Sequence, residues 1–180
     1  MKFTQKFISK TGKEILFRYP TIDDAKKLMN YINKLSAERT YILMQGVQKT
    51  LEDEKKWLQS FLEHQDRKVI ISAFYKNKLI GVSDIELKDG AKNHVGGFGI
   101  TVAKDFRGEG IGKKLMELVL NESIKHIKGL KIIQLEVFGE NKLAQNMYQK
   151  FGFQEFGRLP QGVKRLNRYD DAILMYKKVK

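Results

Sequence analysis

The chain predicts an α/β fold built on a mixed, mostly antiparallel sheet, and three observations predict it. Segments with strand-like apolar alternation are interleaved with segments whose apolar residues recur at helical spacing. The interleaving runs from residue 1 to residue 180 with no linker, repeat or low-complexity stretch, so the chain reads as a single domain. In mid-chain an apolar run breaks at Arg107-Gly108-Glu109-Gly110-Ile111-Gly112 and passes into a long amphipathic segment, a strand-to-helix turn. The central sheet is expected to hold about six or seven of the strand-like segments, flanked by about four helices. A hydrophobic content of 42% over 180 residues suffices for one real core.

The elements follow in order. Phe3 to Ser9 and Lys13 to Tyr19 read as strands paired through the Thr11-Gly12-Lys13 turn, and Pro20 ends the second. Thr21, followed by Asp23 and Asp24, starts a helix whose stripe is Ile22, Ala25, Leu28, Met29, Ile32 and Leu35. Thr50 starts a second helix running to about His64, with Leu51, Trp57, Leu58, Phe61 and Leu62 as its apolar positions. Its Thr50…Asp53 spacing resembles a capping box, although Asp is not the preferred partner at that position. Val69 to Tyr75 and Leu79 to Leu87 form a hairpin. Asp89-Gly90 and Lys92-Asn93 turn the chain into the strand His94 to Val102. The helix Gly110 to Ile127 has two apolar stripes and one narrow polar face, so it is expected to be covered over most of its circumference. Lys131 to Phe138 is a strand, Asn141 to Phe151 a helix stopped at Gly152, and Phe153 to Arg158 and Arg168 to Lys177 two final strands.

Composition excludes several classes. No cysteine is present, so disulfides, thiolate metal sites and a cysteine nucleophile are out. Three scattered histidines, His64, His94 and His126, argue against zinc, and no metal is expected. No run reaches transmembrane length and the first residues lack a signal-peptide core, so no membrane partner is expected and the cytoplasm is the expected address. A formal charge of +13 invites a nucleic-acid reading. The positive charge is spread along the chain and mixed with acids, and no nucleic-acid signature accompanies it. The densest patch, Arg158, Lys164, Arg165 and Arg168, reads as an exposed loop between late strands.

The turn at Arg107 to Lys113 carries the chemistry. An extended segment that breaks at glycines and opens a helix leaves unpaired backbone N–H groups at the positive end of the helix dipole, and these suit a phosphate. The spacing Gly108-x-Gly110-x-Gly112-Lys113 fits neither a P-loop nor the Gly-x-Gly-x-x-Gly of a dinucleotide fold. It resembles the Arg/Gln-x-x-Gly-x-Gly/Ala signature of the GNAT superfamily of acyl-CoA N-acyltransferases. A second block, Glu136 to Phe153, is similar to that family's strand followed by Asn-x-x-Ala-x-x-x-Tyr-x-x-x-Gly-Phe, here Asn141, Ala144, Tyr148, Gly152 and Phe153.

The resemblance implies the single-domain acyl-CoA N-acyltransferase fold, with acetyl-CoA as cosubstrate and a primary amine as acceptor. It implies that backbone groups of Ile100, Thr101 and Val102 hydrogen-bond the pantetheine arm. Arg107, Gly108, Glu109, Gly110, Ile111, Gly112 and Lys113 would hold the pyrophosphate. Asn141 and Ala144 share a helical face with Tyr148 at i, i+3 and i+7, and the resemblance makes Asn141 a contact to the cofactor arm and Tyr148 the general acid that protonates the departing thiolate. Glu136, twelve residues before Tyr148, resembles the base of ribosomal-protein N-acetyltransferases. An acid inside an apolar central strand is costly unless it is paired or functional. Asp84, Glu86 and a water relay are the other candidates for the base. Gly96, Gly97 and Gly99 point to close approach of a ligand to backbone.

The acceptor is expected between the first two helices and the late strands, with Tyr31, Glu38, Arg39, Tyr41 and Trp57 as candidate wall residues. His94 to Ile100 and Arg168 to Ala172 resemble a bacterial branch acting on free amino acids and related small amines. A small-molecule amine, such as an amino acid or polyamine, is therefore the leading acceptor. A protein N-terminus or lysine is the alternative, followed by a non-catalytic module that binds CoA or nucleic acid. Because dimers are common in the family, a homodimer is an open expectation.

Overall fold

The computed structural model describes residues 3–179. Eight strands form one sheet: β1 (Thr4–Ile8), β2 (Glu14–Arg18), β3 (Lys68–Tyr75), β4 (Lys78–Leu87), β5 (Val95–Val102), β6 (Ile132–Phe138), β7 (Gln154–Arg165) and β8 (Arg168–Lys178). Their order across the sheet is β1-β2-β3-β4-β5-β6-β8-β7, and every pairing is antiparallel except β5 with β6. Four α-helices accompany them: α1 (Ala25–Ala37), α2 (Leu51–Glu63), α3 (Ile111–His126) and α4 (Lys142–Lys150). The strand count exceeds the expected six or seven because the short N-terminal strand and the last hairpin both join the same sheet.

Helix starts follow their local chemistry. A 3-10 turn at Ile22–Asp24 leads into α1, where Asp24 accepts the Thr21 N–H at 2.9 Å and a fork from Arg18 at 2.6 and 2.9 Å. Despite its burial, that pairing holds the Asp24 carboxyl below its ordinary range. The capping box of α2 forms with Asp53: Thr50 Oγ1 accepts the Asp53 N–H, and Asp53 accepts the Thr50 N–H. Between β3 and β4, Lys76 and Asn77 both sit at positive φ, the conformation a two-residue hairpin of the right twist requires.

The helices lie on both faces of the sheet. On β4, Gly81 faces Leu115 of α3. Alternation turns Val82 and Asp84 to the other face, where they line a cleft with Leu28 and Ile32 of α1 and Trp57 of α2. As its two stripes predict, α3 is covered around most of its girth, burying Ile111, Leu115, Met116, Leu118, Val119 and Leu120.

The basic segment Arg158 to Arg168 differs from expectation. It is the far half of a long hairpin, β7 extending to Arg165 and turning at Leu166-Asn167 into β8. Pro160 has no N–H to give the ladder, and the register shifts there between Leu159 and Val163. Much of the charge is matched within the chain. Arg158 pairs with Glu155 and Asp171, Arg165 pairs with Glu140 at 2.6 Å, and Lys164 lies over the Tyr169 ring.

Candidate active site

The site begins where β5 and β6 part. They pair only through Val95–Gly97 and Ile132–Gln134 and then diverge. The Ala103 N–H donates to Ile80 O on the β4 side, whereas His94 O accepts from Lys131 and Ile132 on the β6 side. Alternation therefore turns the N–H and C=O groups of Phe98, Ile100 and Val102 into the opening, and those of Gly99 and Thr101 toward β4. Of the three residues expected to offer backbone to a cofactor arm, Ile100 and Val102 face the opening. The Thr101 backbone addresses β4 instead, and its hydroxyl accepts a 2.9 Å hydrogen bond from Tyr31.

At the end of β5 the chain turns into α3. Gly108 and Gly110 have φ of +80° and +85°, the left-handed region in which a side chain is strained. The first intrahelical bond of α3 runs from Lys114 N–H to Gly110 O, so Ile111, Gly112 and Lys113 start the helix with N–H groups free of helical partners. A Cβ on Gly108 would meet nothing within 4 Å, so the cradle is open.

Two charged side chains of the turn are already engaged. Arg107 Nε donates to Val102 O at 2.9 Å, and its guanidinium pairs with Glu38 at 2.7 Å. Glu109 is buried against the β1–β2 turn, where it accepts from Ser9 at 2.6 Å and from Thr11 and Lys13 at 2.5 Å each. Those donors, Lys13 first, hold its carboxyl down at about 2. Glu109 and Arg107 thus brace the turn with their side chains, and what they leave for an anion is backbone. Lys113 is exposed beside it.

On the helical side of the opening stands Tyr148, 8% exposed, edge-to-face with Phe98 at 5.9 Å between ring centroids. Burial pushes its phenol up to about 12 and so keeps it protonated. Its hydroxyl has no hydrogen-bond partner among the described residues, so packing has not tied it off. Asn141 caps α4 through a 3.2 Å bond from the Ala144 N–H. Sequence reasoning missed Gln145, whose buried amide donates to Phe138 O and Gly139 O at 2.9 Å and fixes the turn that aims α4.

Tyr148 and Asn141 share a cleft of about 420 Å³ with Asp84, Glu136, Gly99, Ile100 and Thr101. A second, more open groove of about 600 Å³ continues from it across Asp84, Glu136, Gln134 and Phe156. The two carboxylates differ in setting. Glu136 is exposed, contrary to the burial expected of a central strand, because the parting of β5 and β6 leaves its face uncovered. Asp84 is set deeper, and burial, then repulsion from Glu86, raises its carboxyl to about 7 against the opposing pull of Lys68. Gly99 pairs with Asp84 across the ladder, and a Cβ there would come within 3.1 Å of Asp84 Oδ1. The absent side chain keeps the approach to that carboxyl clear. Gly96 has a different reason: a Cβ would collide with Ile85 and Leu130 at 2.7 and 2.9 Å, so its role is packing. Glu86 is exposed and pairs with the buried Lys68 at 2.7 Å, which leaves it less suited to accept a proton.

The expected wall residues divide. Trp57 and Tyr41 line the cleft, and Arg165 stacks over the Tyr41 ring at 4.6 Å. Tyr31 and Glu38 act behind it through Thr101 and Arg107, and Arg39 does not line it. Glu54, absent from the sequence-derived candidates, does line it. It stands at i−4 from Leu58 and i−7 from Phe61, and a charge on that apolar stripe was the available signal.

A parted strand pair beside a helix start with free N–H groups suits an extended ligand that ends in a phosphate. Residues 27–153 match the family model of the acetyltransferase (GNAT) family, and the chain belongs to that family. It is 40% identical over 76 residues to an uncharacterized N-acetyltransferase, MJ1207, of Methanocaldococcus jannaschii, a match spanning 41% of this chain and 30% of that relative. The GNAT-family acetyltransferase of Streptococcus pneumoniae superposes with a TM-score of 0.85 at 25% identity, over 92% of this chain and 99% of that one. The Salmonella typhimurium yncA structure, which holds its cofactor acetyl-CoA, shares the fold with a TM-score of 0.82 at 13% identity, over 92% and 94% of the two chains.

Proposed function

We propose that the protein is an acetyl-CoA-dependent N-acetyltransferase whose acceptor is the primary amine of a small molecule. The observation that carries this reading is the convergence of Asp84 and Tyr148 on one cleft at the parting of β5 and β6. The free N–H groups at the start of α3, from Ile111 to Lys113, would take the pyrophosphate, with the exposed Lys113 adding charge. The open-side backbone of Ile100 and Val102 would take the arm, Asn141 and Ala144 flanking it from α4.

The chain's residues can then balance the transfer. The neutral amine nitrogen attacks the thioester carbonyl carbon, the C–N bond forms and the C–S bond breaks. The proton lost by nitrogen goes to Asp84, whose carboxyl near 7 is half-ionised at neutral pH. Tyr148 donates its O–H to the sulfur as negative charge builds there. A buried phenol near 12 is a weaker acid than a thiol, which titrates near about 8.5. Net delivery to sulfur is therefore downhill only when the proton held by Asp84 replaces the one Tyr148 gives. Solvent in the cleft links the two. Glu136, exposed at the junction of the two grooves, would draw in the cationic amine and pass its first proton to bulk solvent, leaving the Asp84 carboxylate free for the proton lost on attack.

Thiol release from acetyl-CoA on addition of primary amines tests the reading, and Tyr148→Phe tests the acid. The variant is expected to keep acetyl-CoA affinity and to lose roughly tenfold to a hundredfold in kcat. Wild-type turnover in Tyr148→Phe would remove that residue from the mechanism.

A further inference from the structure

Two carboxylates of the cleft, Asp53 and Glu54, take no part in this chemistry. Glu54 is only 5% exposed and lines the cleft from α2. Its neighbours on the same helical face, Leu58 and Phe61, are apolar and buried. Among the described residues its carboxyl has neither a hydrogen bond nor an ion pair. Burial raises its pKa, with Lys49 pulling the other way and Asp53 adding to the rise. The nearby charges do not satisfy it. Asp53 is spent on Thr50, whose N–H and hydroxyl it accepts at 2.8 Å each. Lys49 lines the same cleft but makes no ion pair with Glu54. A buried carboxyl without a partner costs stability, and an apolar residue on that stripe would pack at no such cost. Leu28, Ile32 and Trp57 supply apolar wall around it. The cleft therefore offers acid at the reaction centre, apolar wall, and a second acid with nothing bound to it. Its lining carries Asp53, Glu54, Asp84 and Glu136 against the single cation Lys49, a balance that favours a dication over a zwitterion.

We propose that Glu54 anchors the acceptor, binding a second cationic nitrogen while the reacting amine sits at Asp84, so that the substrate is a linear diamine or another dicationic amine with an apolar spacer. The proposal rests on the acetyltransferase reading and narrows its acceptor.

The test uses diaminobutane, butylamine and aminobutanoate as acceptors for the full chain and for Glu54→Gln, with thiol release giving KM and kcat separately. Wild type is expected to take the diamine with a KM at least about tenfold below that of butylamine, the worth of one charge-assisted hydrogen bond. Glu54→Gln is expected to erase that advantage while leaving the butylamine rate and acetyl-CoA affinity unchanged. Because the variant removes an unpaired buried acid, it is expected to fold with an equal or higher Tm. An equal loss on diamine and monoamine, or a wild-type preference for aminobutanoate, would overturn the assignment. Calorimetry of diaminobutane against the CoA-loaded protein reads the subsite without turnover. Binding that Glu54→Gln abolishes, in a protein that releases no thiol, would retain the subsite and reject the transferase. Binding that Glu54→Gln leaves unchanged would reject the subsite whatever the turnover.

Discussion

The two halves of the site are built in opposite ways. In the cofactor half, from Ile100 to Lys113, the side chains of Arg107 and Glu109 are consumed within the fold, and Lys113 stays exposed beside them. Arg107 clamps Val102 and Glu38, and Glu109 takes three donors from the β1–β2 turn. What remains open there is main chain, with Lys113 at its edge. In the acceptor half, between α1, α2 and the parted strands, Glu54, Asp84 and Tyr148 face the cleft with polar groups that have no hydrogen bond or ion pair among the described residues. A surface made of backbone recognises a constant partner and tolerates little change in conformation. A surface made of unpaired side chains is where an acceptor is chosen, and it carries an energetic cost until that acceptor arrives.

Substitutions are expected to separate the halves, the largest effect coming from the acceptor side. Asp84→Asn removes the proton acceptor and is expected to lower kcat/KM by roughly a hundredfold or more while acetyl-CoA binding persists. The same change is expected to stabilise the fold at alkaline pH. The folded carboxyl titrates near 7, above its ordinary 3.8, so wild type has its full stability below about pH 4 and loses some as pH rises through 7. The variant's gain in thermal or urea unfolding therefore grows across that window. A gain at pH 4 instead would reverse the assignment.

The cofactor side is expected to respond in affinity. Gly110→Ala places a side chain at a φ of +85°, costs about 1–2 kcal/mol and distorts the start of α3, so acetyl-CoA affinity in calorimetry is expected to fall roughly tenfold. Unchanged affinity would mean that the turn is not the phosphate cradle. Glu109→Gln is the mildest. Its carboxylate is engaged by the β1–β2 turn, so the change is expected to weaken acetyl-CoA binding only a few-fold, with kcat preserved, by loosening the brace to Lys13. The Glu109 carboxyl is depressed to about 2, so the wild-type brace is present above the ordinary carboxylate range and fails as pH falls toward 2, whereas the variant has no such acid limb.

The same contrast governs what was legible in the sequence. Backbone sites demand particular residues at fixed spacing, and Gly108, Gly110, Asn141 and Tyr148 could be read from their pattern. The helices and most strands followed from periodicity. Each of the eight strands has its counterpart among the strand-like segments, but that β1 and the long last hairpin join the same sheet is a tertiary event and could not be read. The relative standing of Asp84 and Glu136 was hidden for a similar reason. Both sit in central strands among apolar neighbours, and only the point at which β5 and β6 diverge leaves Glu136 exposed while Asp84 is half-buried. Glu54 lay within reach of pattern reading, as a charge on the stripe of Leu58 and Phe61. The brace at Glu109 joins residues about a hundred positions apart in sequence, and nothing local announces it.

The central claim is that the half-buried carboxyl of Asp84, at the parting of the strands, takes the proton from the acceptor amine. The pH profile of kcat/KM for thiol release, measured on wild type and Asp84→Asn with one amine, tests it most directly. Wild type is expected to lose activity on the acid side with an apparent pKa of about 7, and the variant to lose that limb together with most of the rate. The same limb and rate in Asp84→Asn would contradict it and move the base elsewhere, Glu136 first.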